Sequence, residues 1–103
     1  MKDFVDLEGA SGATYRFRLA PGGVVSTPMA GNYALLRVGA NGVIVDTIAA
    51  TNDLATATAA FQRSAAKKGG QQLYTRLNVS AAVREAERAD IAAFNRAHKH
   101  RPA

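Results

Sequence analysis

One glutamate stands where an apolar side chain is expected. Over residues 80–97, Val83, Ile91 and Phe94 fall at i, i+8 and i+11, and Glu87, at i+4, completes their stripe. A carboxylate aimed at a sheet is costly unless a partner or a cation compensates it, or unless it opens on a cleft. Arg84 and Arg88 are partners on the same helix, and a residue at the border of the stripe also reaches water. The second set of chemistry-bearing residues is cationic. Arg37, Arg63, Lys67, Lys68 and Arg76, with the basic tail 98–103, are candidate phosphate ligands, and Tyr33 and Tyr74 are rings on which bases stack. The same residues also suit ordinary solvated faces, and Tyr33 a core position. Other chemistries are poorly served. His98 and His100 are spaced i, i+2 beside Lys99 and Arg101, which repel cations. Ser11, Ser26, Ser64 and Ser80 lack a nucleophile-elbow context. Neither Gly22-Gly23 nor Gly69-Gly70 is followed by the Lys-Ser/Thr of a phosphate loop.

Positioning these residues requires a small mixed fold. Residues 3–8 and 13–19 read as strands joined by Gly9-Ala10-Ser11-Gly12, an N-terminal hairpin over 1–19. In the second strand Tyr15, Phe17 and Leu19 alternate with Thr14, Arg16 and Arg18, so a basic row faces outward. Residues 20–30, rich in Gly and Pro, are a loop. Residues 31–54 then hold a second hairpin, turning at Asn41-Gly42, and the start of a helix. Thr51, Asn52 and Asp53 offer N-cap side chains. The helix is expected from about Asn52 to Lys68, with Leu54, Ala57, Phe61 and Ala65 as its apolar stripe and Gly69-Gly70 as its stop. A strand over 72–78 and a helix from Ser80 to Ala97 complete the chain. The order ββ-ββ-α-β-α predicts an α+β fold: a small, mainly antiparallel sheet flanked by two helices. Residues 1–97 form one domain and 98–103 a basic tail.

Charge narrows the partners. Thirteen basic against eight acidic residues give +5. Residues 1–8 hold Lys2 against Asp3, Asp6 and Glu8, a net of −2, which leaves +7 on the remainder. A basic body suits DNA or RNA, although many small soluble proteins are basic too. No apolar run approaches the ~18 residues that a membrane span needs, so no membrane partner is expected. The opening MKDFVDLEG lacks the features of a signal peptide. The absence of cysteine excludes disulfides and thiolate metal sites and fits a reducing compartment. A cytoplasmic location is the expectation.

The element order and several residues resemble the GIY-YIG nuclease superfamily, in particular its small stand-alone domains with an added N-terminal hairpin. The resemblance runs from about Ala13 to Arg96. Gly31-Asn32-Tyr33 matches the Gly-x-Tyr motif, and Thr47-Ile48-Ala49 aligns with Tyr-[Ile/Val]-Gly. Asn52-Asp53-Leu54 falls at the helix start, and Glu87, Ile91 and Asn95 keep the spacing of the metal-binding glutamate and the residues after it. The resemblance implies that Tyr33 activates water and that Glu87 holds a divalent cation. It equally implies loss of chemistry, because Thr47, Ala49 and Ala57 stand where a tyrosine, a glycine and an arginine are needed, and Arg96 where proline is usual. Each such electrostatic donor is worth ~10²–10³ in rate.

The expectation is therefore a catalytically degenerate domain that binds nucleic acid without efficient cleavage. Tyr33 and Glu87 are remnants of a catalytic site, and Arg37, Arg63, Lys67, Lys68 and Arg76 the binding residues. No cofactor is expected, with Mg²⁺ or Mn²⁺ on Glu87 if nuclease activity persists. Two alternatives stay open. One is a protein-interaction or inhibitor protein of phage or mobile-element type that reuses the scaffold. The other is a weak metal-dependent endonuclease.

Overall fold

The computed structural model describes residues 2–40 and 42–98. Five strands form one antiparallel sheet: β1 (Phe4–Glu8), β2 (Thr14–Leu19), β3 (Gly31–Gly39), β4 (Gly42–Thr51) and β5 (Gln71–Leu77). Helix α1 (Ala57–Ala65) lies between β4 and β5, and α2 (Ala81–His98) follows β5. The strand order is β1-β2-β5-β3-β4. The last strand in the chain thus inserts between the two hairpins and joins them. Both expected hairpins form. In the second, Gly39 pairs with Gly42, whose φ of 119° suits a residue without Cβ. Asn41 lies outside the described residues.

The helices cover opposite faces. On the α2 side, Val5, Leu7, Phe17, Ala34, Leu36, Tyr74 and Ile91 make one core. On the α1 side, Ala20, Leu35, Ala57 and Leu73 make a second, against which Val25, Tyr33 and Phe61 pack. Consecutive residues of a strand point to opposite faces, so the central strands β3 and β5 bury both of their faces. That accounts for the run Ala34-Leu35-Leu36 in β3 and for Leu73-Tyr74 in β5.

Helix α1 is shorter than the expected 52–68. It runs from Ala57 to Ala65 and has no side-chain cap of its own; Asp53 instead caps the turn before it, its carboxylate accepting from Ala55 N at 2.9 Å. The chain enters through a 3-10 turn at Leu54–Thr56, because Leu54 N is held by the carbonyl of Met29 at 2.8 Å. Helix α2 begins as expected, with Val83 N bonded to Ser80 Oγ. Val83 itself is 47% exposed and does not join the buried stripe. Helix α2 runs through His98, whose ring stacks on Phe94 at 3.9 Å. The remainder of the tail, including His100, lies outside the described residues.

Candidate nucleic-acid interface

The structure does not bring Tyr33 and Glu87 together. Tyr33 packs on the α1 side, and its cross-strand partners are Ala49 and Thr75. Thr47 pairs with Leu35 and shares that face. Glu87 points from α2 to the other face, where Arg76 Nε donates to its Oε1 at 2.9 Å and Asn78 Nδ2 at 3.1 Å. A five-strand sheet separates the two side chains. The compensating partner of Glu87 is therefore an arginine on β5, not Arg84 or Arg88 on its own helix. A guanidinium beside the carboxylate repels a divalent cation, so the residues around Glu87 do not fit a metal. No group of three or more potential ligands gathers anywhere among the described residues. Ala57 is fully buried, which leaves no space for an arginine there. Gly31 has a packing role, since a Cβ at that position would lie 2.2 Å from the carbonyl oxygen of Arg76.

A polar network under the start of α2 escaped the sequence reading. Asn32, the variable residue of Gly31-Asn32-Tyr33, is fully buried. Its Nδ2 donates to the carbonyls of Arg84 at 2.9 Å and Ala49 at 3.3 Å. Arg84 is buried as well, its guanidinium donating to the carbonyl of Val79 at 3.0 Å and to Asn52 Oδ1. These bonds satisfy backbone carbonyls at a β-to-α junction, a structural use of charge.

The five expected phosphate ligands do not share one surface. The bulge between Leu35 and Leu36 leaves Asp46 as the extra residue of β4. Its carboxylate accepts a fork from Arg37, at 2.8 Å on each oxygen, and a third bond from Gln71 Nε2 at 2.8 Å. Lys68 Nζ stands 3.5 Å away. These donors, Arg37 foremost, hold the Asp46 carboxyl down at about 2. Arg37 and Lys68 are thus engaged by Asp46, and Arg76 by Glu87. Arg63 and Lys67 remain exposed on and after α1, without a carboxylate in ion-pair range among the described residues.

A different surface gathers free charge and exposed apolar area. The β2–β5 ladder pairs Arg18 with Thr75 and Leu19 with Tyr74, and goes no further. The strands then splay, and Arg76 Nη1 reaches across to the carbonyl of Arg16 at 3.3 Å. An open groove of about 380 Å³ results. Phe4, Arg16, Arg18, Thr75 and Leu77 line it from the strands, Arg76 from the gap, and Val25, Thr27 and Leu54 from the α1 side. Arg18 has no carboxylate in ion-pair range among the described residues, and Arg16 has the exposed Asp6 at 3.0 Å. Phe4 is 51% and Leu77 60% exposed. The alternation in β2 marked Arg16 and Arg18 as an outward row. Nothing local marked the splay that turns this row into a groove.

Carboxylates beyond β1 are spent inside the molecule. Glu85 pairs with Arg88 at 2.6 Å. Asp90 accepts from Ser11 Oγ at 2.6 Å and Tyr15 OH at 2.7 Å, which fastens α2 to the first hairpin. The Ser11 hydroxyl, followed by Tyr15, lowers the Asp90 carboxyl, and the bond to Asp90 pushes the Tyr15 hydroxyl up. Fold and site together define a small α+β domain with an arginine-lined, partly apolar groove on an open sheet face. No protein-family model, curated protein or solved structure matches the chain.

Proposed function

We propose that the protein is a nucleic-acid-binding module that does not cleave its ligand, on a scaffold similar in element order to the GIY-YIG domains. The observation that carries this reading is the groove beside Arg18. It places Arg16 and Arg18 on one face, while the acids beyond β1 are engaged internally. Phosphates supply the complementary charge, and counterion release makes such binding strongly dependent on salt. Cleavage is left out because Tyr33 and Glu87 face opposite ways and the Arg76 guanidinium beside Glu87 would repel a divalent cation. The location is the cytoplasm on this reading, in keeping with the absence of cysteine. None of the described helices is long and apolar enough to cross a membrane.

The test is fluorescence anisotropy with labelled DNA and RNA oligonucleotides over a salt series. With Arg16 and Arg18 engaged on a single strand, log K falls against log[salt] with a slope of about −1.4. Arg18→Ala reduces the slope by about 0.7. The oligonucleotide stays intact after incubation with Mg²⁺ or Mn²⁺. Absence of binding at low salt refutes the reading, and cleavage that Glu87→Gln abolishes refutes its non-catalytic part. A protein partner is the second reading, favoured by Leu77, Val79 and Val83, which are 60%, 75% and 47% exposed around the β5–α2 junction.

A further inference from the structure

Resting on that reading, we infer that the groove takes a single strand rather than a duplex, with Phe4 as a stacking platform for a base. Phe4 is the cross-strand partner of Arg18, and the Arg16 guanidinium stands 5.7 Å from its ring centroid. An aromatic ring, exposed over half its surface, lies between two arginines in the lining of the groove. Duplex phosphates would satisfy the arginines and leave Phe4 and Leu77 against charged backbone. A single strand offers a π-face for Phe4 and phosphates for the arginines at once.

Size and continuity agree. The groove, about 380 Å³, falls near the lower end of ~300–1,000 Å³ for small-ligand sites. It accommodates one extruded nucleotide and not a helix. The sheet also curls until Val43 of β4 approaches β1, and a second cavity of about 320 Å³ opens there, lined by Lys2, Phe4, Asp6, Arg16 and Val43 among others. The two cavities share Phe4 and Arg16. Those side chains form a ridge over which a strand passes from one cavity to the next, with a cation at each step.

Asp6 opposes this occupant. It accepts from Arg16 Nε at 3.0 Å and from Nη2 at 3.5 Å, so a phosphate must compete with it. Removing that carboxylate tightens binding, an effect that damage to the fold does not produce.

The experiment compares a single-stranded oligonucleotide with the duplex of the same sequence, on the wild type, Phe4→Leu, Phe4→Trp and Asp6→Asn. Single-strand binding exceeds duplex binding in the wild type. Phe4→Leu weakens the single strand about 5- to 150-fold, the range for loss of one stacked base. Phe4→Trp restores binding, and its indole fluorescence, alone in a chain without tryptophan, is quenched by the single strand. Asp6→Asn strengthens binding about 2- to 5-fold, the scale of an exposed ion pair. Equal or tighter duplex binding, with Phe4→Leu unchanged, overturns the single-strand assignment and leaves the nucleic-acid reading standing. No binding of either form overturns both.

Discussion

Asp46 offers the sharpest test of the energetics. Its carboxylate is 6% exposed and carries the Arg37 fork together with bonds from Gln71 and Lys68. Folding lowers its pKa from 3.8 to about 2. A depressed carboxyl contributes stability that is present above the unfolded value and is lost as pH falls through the folded one. At ~1.4 kcal/mol per pH unit, the contribution is about 2 kcal/mol at neutral pH. Asp46→Asn keeps the shape of the side chain and removes the charge. At pH 7 it lowers stability by about 2 kcal/mol, or Tm by about 8–16 °C for a domain near 100 residues. Arg37 is 39% exposed, so added salt trims the figure. The assay is thermal unfolding of both proteins between pH 7 and pH 2. Other carboxylates titrate over the same range, but they do so in both proteins and cancel in the difference. The gap closes between pH 4 and pH 2. A gap that stays constant to pH 2 refutes the assignment, because the stabilisation then does not come from the ionised carboxylate.

Three further outcomes follow from the packing. Gly31→Ala places a methyl group against the carbonyl of Arg76 and costs about 2–3 kcal/mol, read by urea unfolding, although no catalytic role is assigned to the residue. Glu87→Gln leaves Arg76, 31% exposed, without its carboxylate, and costs about 1–3 kcal/mol in the same assay. Asp90→Ala releases the Ser11 and Tyr15 bonds, so amides of β1 and β2 exchange faster than those of β3 and β5.

Much of the fold was legible in the residues. The alternation of β2 and the Ser80 start of α2 reflect local rules that tertiary contacts left intact, whereas α1 ends at Ala65, before the Gly69-Gly70 stop. Where α1 starts was not legible, because Asp53 caps a 3-10 turn that precedes it, and the carbonyl of Met29, distant in sequence, holds Leu54 N in that turn. The site was legible in part. The anomaly of Glu87 in its stripe announced a compensating partner, but helical spacing pointed to Arg84 and Arg88. Arg76 becomes available only because β5 inserts between β2 and β3. The same insertion separates Tyr33 from Glu87. Residues that share a family spacing in one dimension lie on two faces once strand alternation is applied. Arg37 and Lys68 looked like free cations for want of any local sign of the bulge that delivers Asp46 to them. Arg18, which no motif marks, has no carboxylate in ion-pair range among the described residues and stands beside an exposed ring.

On the proposed function, nucleic acid binds at the groove of Phe4, Arg16 and Arg18. Amide and side-chain NMR shifts recorded while a short single-stranded oligonucleotide is titrated into labelled protein test it most directly. The largest changes are expected on Phe4, Arg16, Arg18, Thr75 and Leu77. Changes centred instead on Arg63 and Lys67 at the end of α1, or no changes at low salt, would contradict it.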